Sequence, residues 1–178
     1  MPSIISHPAV PLALAAVLPP EMRSLSVVGL GIACSVVPDL DVVGFRFGVP
    51  YGHLIGHRGL SHSILFAACL SAALTWALPW GVQSMPVSYT ALFGYLFLAT
   101  VSHGFLDALT NGGLGVAFFA PVHSARYFLP WRPIRVSPIT LSGFFSTRGV
   151  RVLASELQWV WLPAAGVAIF LKLFQRVI

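Results

Sequence analysis

Long apolar stretches with almost no charge constrain this chain more than any other feature of its sequence. Three approach the length of about 20 helical residues that crosses the hydrocarbon core of a bilayer. They are Leu60–Leu78, Tyr89–Leu109 and Leu157–Phe174. Two shorter stretches, Pro8–Leu18 and Leu25–Val37, come first and are separated by Pro19-Pro20, which interrupts a helix because proline lacks the amide donor. The pattern predicts an all-α, polytopic membrane bundle of about five helices, of which the first two are short.

The composition agrees with a membrane protein and excludes an ordinary soluble domain. Of the 178 residues, 57% are hydrophobic and 8% are charged, whereas about a quarter of the residues in a soluble domain carry charge. The length predicts a single membrane-embedded domain over residues 1–178. The net charge of +5 comes mostly from single arginines between apolar segments. We therefore expect contacts with lipid headgroups and no binding of nucleic acid.

The few histidines and acidic residues gather at one end of the predicted helices. Following the chain through its crossings places most of them on the same side. They are His7, Asp39, Asp41, His53, His57, His62, His103, Asp107 and Glu156. Ionisable side chains at membrane depth are costly and are usually functional. The sequence therefore predicts a functional site at one membrane face.

Two pairs of residues suggest that this site binds metal. His103 and Asp107 are four apart in an apolar helix, so they share one face, with Cβ atoms about 5–6 Å apart, and can bind one ion or a close pair. A hydrogen bond that joins helices is the alternative. Asp39 and Asp41 are two apart, so one can bind a cation while the other bridges, orients water or accepts a proton. For this pair the alternative is a solvated helix end.

The densest polar patch contains His57, Arg58 and His62. The two histidines suit separate positions around a metal site, and Arg58 offers a planar fork for phosphate or carboxylate. A polar interfacial loop is the alternative. His7 becomes a candidate ligand through its place at the same face. Glu156 is interpreted either as a ligand or as a first-turn acid that complements the helix dipole.

The mixture of imidazole and carboxylate side chains indicates the metal. It fits zinc best, with manganese or iron(II) as alternatives, whereas calcium and magnesium prefer oxygen ligands. Seven to nine candidate ligands exceed the three or four that one zinc ion needs, so we expect room for two or three ions. Such clusters usually activate water for phosphoester hydrolysis.

At these residues the sequence resembles the YdjM-like family of bacterial inner-membrane proteins, which are called membrane-bound metal-dependent hydrolases. The motifs that carry the resemblance are Ser6-His7, Pro38-Asp39-Leu40-Asp41, His57-Arg58-Gly59-Leu60-Ser61-His62-Ser63 and Ser102-His103-x-x-x-Asp107. That family is distantly similar to zinc-dependent phospholipase C and single-strand nucleases, which are helical enzymes with a trinuclear zinc site. The resemblance implies a multi-pass protein of the bacterial inner membrane. It also implies metal ligands at His7, Asp39, His62, His103 and Asp107, with Asp41 as a ligand or base and with His57 and Glu156 as further ligands.

The expected function is hydrolysis of a phosphoester in a membrane lipid or lipid-linked substrate through metal-activated water. Arg58 is expected to neutralise phosphate oxygens and Asp41 to handle the proton. A non-enzymatic metal or proton carrier is one alternative, although a carrier should place its polar groups near the membrane midplane. A phosphohistidine-type lipid phosphatase is another; it shares H-x-x-x-D, but Leu96-Phe97 stand where its Ser-Arg pair is expected.

The arginines favour a cytoplasmic position for the site. The positive-inside rule counts Lys and Arg in loops near helix ends, and only Arg23, Lys172 and Arg176 lie on the opposite side. Seven arginines lie on the side of the site. They are Arg46, Arg58, Arg126, Arg132, Arg135, Arg148 and Arg151.

Overall fold

The fold is a helical bundle in the computed structural model, which describes residues 1–81, 88–138 and 140–175. The structure has 62% helix and no strand among these residues, which confirms the predicted all-α membrane bundle. Arg176, which the charge count placed opposite the site, lies outside the described residues.

The helices follow the chain in a simple order. They are α1 (Ala9–Ala15), α2 (Leu25–Val36), α3 (Ile64–Gly81), α4 (Tyr89–Ala108), α5 (Leu141–Phe144), α6 (Thr147–Glu156) and α7 (Leu162–Phe174). Short 3₁₀ helices lie at Pro20–Met22 and Leu60–His62, and a π-helical turn at Leu157–Trp161 joins α6 to α7. Three described segments are long and apolar enough to cross a membrane. They are Leu25–Phe47, Tyr89–Ala108 and Thr147–Phe174.

The second helix is longer than predicted. α2 continues directly into a 3₁₀ helix at Val37–Phe47, and the combined segment has 23 residues. Pro38 lies at the start of this extension, where its missing amide hydrogen interrupts the α-helical pattern. The segment ends at Gly48, whose φ of 75° is left-handed. Asp39 and Asp41 therefore lie inside the helical segment and not after it, as the sequence had suggested.

The third helix begins later than predicted. Ser63 accepts a hydrogen bond from the backbone amide of Phe66, so it caps a helix that starts at Ile64. The described apolar part, Ile64–Ala77, is shorter than a membrane span. His62 consequently lies in the 3₁₀ turn before α3, where its position is not tied to the face of a long helix.

The last helical segment begins earlier than predicted. Ser146 caps α6 by accepting a hydrogen bond from the amide of Arg148, and the helical conformation then continues to Phe174. Glu156 is the final residue of α6 and lies far from the start of this segment. The interpretation of Glu156 as a first-turn acid that complements the helix dipole is therefore wrong.

The apolar core holds α4 between its neighbours and brings the ends of the helices together. One cluster of buried side chains links α2 and α4 with the segment before α2. Its members are Leu18, Met22, Val27, Cys34, Leu92, Tyr95, Leu96 and Ala99. Helix α3 packs against α4 as well. Because α2 and α4 are packed along this core, the 3₁₀ extension of α2 meets the C-terminal end of α4, which carries His103 and Asp107.

The contact of α2 with α4 depends on a glycine. A Cβ atom at Gly31 would overlap the buried ring of Tyr95, whereas a Cβ atom at Gly29 meets nothing. We expect Gly31→Ala to lower the free energy of unfolding by about 1–3 kcal/mol through overpacking. Gly29→Ala is the matched control and should be neutral or slightly stabilising, since alanine favours helix. Thermal unfolding in detergent measures both. Equal stability of the two variants would contradict the close α2–α4 packing.

Candidate metal centre

Four buried side chains converge at the end of the bundle. One carboxylate oxygen each of Asp39 and Asp107 and one ring nitrogen each of His62 and His103 all lie within 4.8 Å of one another. They come from three elements: the 3₁₀ extension of α2, the 3₁₀ turn before α3, and the last two turns of α4. The structure thus brings together four of the residues that the sequence proposed as ligands.

The spacing of the donor atoms suits a metal ion. His62 Nε2 lies 3.0 Å from His103 Nε2 and 3.5 Å from Asp107 Oδ2. Asp39 Oδ1 lies 3.3 Å from His103 Nε2 and 3.8 Å from His62 Nε2. Ligands about 2.0–2.2 Å from a tetrahedral zinc ion are about 3.3–3.6 Å apart. The four donors are therefore close to the separation that one ion requires.

The hydrogen bonds of the two histidines direct their Nε2 atoms toward each other. His103 Nδ1 lies 2.7 Å from the carbonyl oxygen of Ser35, which only accepts, so Nδ1 carries the hydrogen. His62 Nδ1 lies 3.2 Å from Asp41 Oδ2, which favours a hydrogen on this nitrogen also. In the neutral rings both Nε2 atoms then present lone pairs across 3.0 Å. A cation bound between them would remove that repulsion, and metal-binding histidines in proteins are oriented by contacts of this kind.

Buried polar atoms without hydrogen-bond partners surround the same position. Both nitrogens of His7 and both oxygens of Asp39 and Asp107 are buried without one. Burying such atoms unsatisfied is expensive, and a cation bound at this position would satisfy them. His7 Nε2 lies 3.8 Å from Asp39 Oδ2 and 3.8 Å from Asp107 Oδ1. Each carboxylate thus presents one oxygen to the pair His62 and His103 and the other to His7, and the donors form two adjoining sets.

The electrostatic environment shifts the pKa values of His7 and His62, which both lie outside the candidate membrane spans, in opposite directions. Burial lowers the pKa of His62, but the neighbouring carboxylates of Asp107, Asp39 and Asp41 outweigh it and raise this pKa to about 10. Burial, with a smaller contribution from His103, lowers the pKa of His7 to about 3. The three carboxylates therefore favour a positive charge where the ring of His62 lies. His7 stays neutral, which is the form in which histidine binds a metal.

Asp41 supports the site from behind. Its Oδ1 lies 2.7 Å from His57 Nδ1, and its Oδ2 accepts from Ser61 Oγ at 2.6 Å and from the amide of Arg58 at 3.1 Å. His62 Nδ1 faces the same Oδ2. Four donors are directed at Asp41, and one of its oxygens lies within 4.8 Å of one nitrogen each of His57 and His62, which makes a second group that could hold an ion. The predicted roles of Asp41 as ligand or base and of His57 as ligand therefore stay predictions, and Asp41 also holds the rings of His57 and His62 in place.

Arg58 lies inside the protein, where a carboxylate, a hydroxyl and a backbone carbonyl surround its guanidinium. Its guanidinium is buried, with Nε 2.8 Å from Asp107 Oδ2. Nη1 donates to the carbonyl of Gly112 at 2.9 Å and Nη2 to Thr110 Oγ1 at 3.0 Å. This geometry does not support the predicted contact with phosphate. Arg58 instead neutralises Asp107 and fastens the loop after α4. Its left-handed φ of 61° is a costly backbone conformation of the kind found at functional sites.

Glu156 is buried beside the site but is not among the converging donors. Its carboxylate accepts hydrogen bonds from the amide of Ser3, from Ser3 Oγ at 2.6 Å and from Ser6 Oγ at 2.7 Å. Trp161 Nε1 also donates to Ser6 Oγ, at 3.2 Å. The predicted ligand role therefore has no support in the geometry. Glu156 holds the segment that carries His7 against the start of the π-helical turn.

Arg126 is a site residue that the sequence reasoning missed. Its Nη1 donates to the carbonyl of His57 at 2.9 Å, and its Nη2 donates to the carbonyls of Tyr51 and His53, both at 3.1 Å. It thus anchors the loop that positions His57. No local motif marks it, because an arginine that binds backbone carbonyls has the same sequence context as one that faces headgroups.

Comparison with known proteins adds two findings. The family model described as YdjM inner membrane protein matches residues 1–178. The inner membrane protein YbcI of Escherichia coli (strain K12) is 37% identical over 163 residues, which cover 92% of this chain and 92% of that protein. No solved structure matches the chain.

The converging donors predict bound metal. Protein purified under mild conditions should contain at least one equivalent of a transition metal by elemental analysis, and added zinc should raise its thermal stability. His103→Ala should abolish both effects, because loss of a ligand removes affinity and geometry together. His123→Ala, in an exposed loop, is the matched control and should change neither. His7→Ala should lower the metal content only in part if the donors form two sets. Metal-free protein that zinc fails to stabilise would contradict the centre.

Proposed function

The chain belongs to the YdjM family of inner membrane proteins, as its motifs indicated, and on this premise we propose that it is a membrane-bound metal-dependent hydrolase. We propose a phosphoester of a lipid or lipid-linked molecule as its substrate. The observation that carries the proposal is the convergence of Asp39, His62, His103 and Asp107 at the end of the bundle, where a lipid headgroup would lie.

The residues present fit a divalent ion. Asp39, His62, His103 and Asp107 would hold one ion, and His7 with the remaining carboxylate oxygens would hold a second. Two imidazoles and two carboxylates suit zinc, and manganese or iron(II) would accept the same donors. Bound metal would supply Lewis-acid polarisation of a phosphoryl oxygen and activation of water.

Proton transfer is best assigned to His57. Because Asp41 accepts the hydrogen of His57 Nδ1 at 2.7 Å, the ring is oriented and its Nε2 is directed away from Asp41. That nitrogen can take a proton from an attacking water and return it to the leaving group. His57 thereby replaces Asp41 in the role that the sequence suggested, while Asp41 acts through it as a positioning residue.

Arg58 contributes to charge balance at the site. A phosphate approaching Asp39 and Asp107 would be repelled by two carboxylates. The buried guanidinium, 2.8 Å from Asp107, offsets one of these charges before any metal binds. Arg58 therefore favours an anionic substrate without touching it.

The position of the site favours a lipid substrate. His103 and Asp107 lie in the last two turns of the candidate span Tyr89–Ala108, and they meet Asp39, which lies inside the candidate span Leu25–Phe47, eight residues before its end. The end of Tyr89–Ala108 would lie close to the lipid headgroups, whose phosphoesters could reach the site from the bilayer.

The geometry weighs against one alternative and bears on the other. In a phosphohistidine-type phosphatase, His103 would attack phosphorus, but its Nδ1 faces Ser35 at 2.7 Å and its Nε2 faces His62 at 3.0 Å. A metal carrier draws support from the burial of all four donor residues. Against it, a carrier should hold its cargo near the midplane, whereas His103 and Asp107 lie at one end of their span.

Hydrolysis is tested with metal-loaded protein and a panel of phospholipids and polyprenyl phosphates. Wild-type protein should release phosphate or a phosphorylated headgroup, and His103→Ala should release none. His57→Gln should keep its metal and lose about 10²–10⁴-fold in rate, as expected for loss of a proton-transfer group. His53→Gln is the matched control in an exposed part of the same loop. Metal-loaded wild-type protein that transports the ion but hydrolyses no lipid would support the carrier instead.

We further propose that the site faces the cytoplasm. Arg58 is buried and paired, so it does not contribute to the surface charge that sets orientation. Five exposed arginines still lie at the site end, against Arg23 and Lys172 among the described residues opposite. Because α7 leads away from the site, we expect a C-terminal reporter that works only in the periplasm to be active. Activity of a reporter that works only in the cytoplasm would reverse the orientation.

A further inference from the structure

Positive and negative charges are separated in depth at the site end of the molecule. The chain has five acidic residues, of which Asp39, Asp107 and Glu156 are buried and Asp41 has a side-chain exposure of 7%. The fifth, Glu21, is exposed between α1 and α2, at the opposite end. Among the residues that the structure describes, no side-chain carboxylate is therefore left exposed around the metal centre, and the exposed side-chain charge there is positive.

Five exposed arginines make up this surface charge, and we call them the cationic collar. They are Arg46, Arg132, Arg135, Arg148 and Arg151. Backbone contacts place the collar at the site end. The amide of Arg135 donates to Ser155 Oγ at 3.0 Å, next to Glu156, and Ile134 pairs with Thr110 just beyond α4.

The length of the last helical segment sets the level of two collar residues. Thr147–Phe174 has 28 residues, or about 42 Å of helix at 1.5 Å per residue. A hydrocarbon core is about 30 Å thick, so about two turns must project from it. The apolar end of the segment is α7, and the projecting turns are therefore those of α6, with Arg148 and Arg151. This places both arginines at the level of lipid headgroups.

Large apolar side chains lie between the arginines and are open to the surroundings. Leu40 is 62% exposed, Phe47 81%, Trp131 59% and Phe145 83%. Phe47 follows Arg46 directly, and Trp131 precedes Arg132. A purely aqueous surface would leave these side chains in water, whereas the boundary between headgroups and acyl chains accommodates apolar and basic groups together.

We propose that the cationic collar binds anionic phospholipid headgroups in the leaflet that surrounds the metal centre. Arginine forks match the phosphodiester oxygens, and the adjacent apolar side chains pack on the upper acyl chains. The interaction goes beyond the proposed hydrolysis and does not depend on it, since no collar residue contacts the metal centre. Its effect is to concentrate anionic lipid around the entrance to the site.

The experiment measures lipid retention by the full-length protein in a neutral detergent. Phosphatidylglycerol or phosphatidylcholine is titrated in, and the bound lipid is counted by native mass spectrometry. We expect the wild type to retain phosphatidylglycerol selectively, and Arg148→Gln with Arg151→Gln to lower this retention roughly tenfold. The control, Arg23→Gln with Lys172→Gln, removes the same charge from the opposite end and should retain as much as the wild type.

Further variants separate charge from folding. Arg148→Lys with Arg151→Lys keeps the charge and should restore most of the retention. Thermal stability shows whether each variant is folded. If the variant with Arg148→Gln and Arg151→Gln is unfolded, Arg46→Gln with Arg132→Gln is the second test and should show the same loss of retention. Unchanged retention in both Gln pairs, or an equal loss in the control, would overturn the proposal. So would wild-type binding of a DNA oligonucleotide in preference to phosphatidylglycerol, since the collar would then serve nucleic acid.

Discussion

The structure depends on holding two carboxylates, Asp39 and Asp107, out of water at the end of a membrane bundle. An ionised carboxylate in an apolar interior costs several kcal/mol unless it is paired or binds a metal. Here both lie almost fully buried, with four oxygen atoms that make no hydrogen bond. Much of the surrounding structure offsets this cost. Arg58 pairs with one carboxylate at 2.8 Å, and three histidine nitrogens face the pair at distances suited to sharing an ion.

A second set of contacts decides where those histidine nitrogens point. The carbonyl of Ser35 and the carboxylate of Asp41 each take the hydrogen from Nδ1 of one histidine, which leaves the two Nε2 atoms to converge. Glu156 fixes the position of His7 indirectly, because its carboxylate accepts hydrogen bonds from Ser3 and Ser6 in the segment that precedes His7. Metal affinity in proteins depends on such supporting contacts almost as much as on the ligands. Asp41 therefore matters to the centre through the histidines that it holds, and Glu156 matters although it is not among the converging donors.

Much of the site could be predicted from the sequence, but the roles within it could not. His103 and Asp107 were identifiable because a four-residue spacing on one helix places two side chains on the same face. Asp41 and Arg58 were assigned to catalysis because their residue types suit it, and local sequence does not show which partners occupy a side chain. Arg58 turns inward because residues 110 and 112, more than fifty positions away, accept its hydrogens. The end of the segment that begins with α2 and the start of the segment that begins with α6 were also predicted wrongly. In both cases the helical conformation continues past the end of the apolar pattern, through a 3₁₀ helix after α2 and through a π-helical turn between α6 and α7.

The sequence by itself determined that this chain is a helical membrane protein with its ionisable side chains at one end. Long apolar runs of this kind can satisfy their backbone hydrogen bonds in lipid by forming helices. The order of these helices along the chain then determines which polar residues lie on the same side of the membrane. Only the tertiary structure decided which of those residues form the centre and which support it. That choice rests on distances of about 3 Å between side chains from separate helices, and such distances arise from core packing between α2 and α4 that no periodicity encodes.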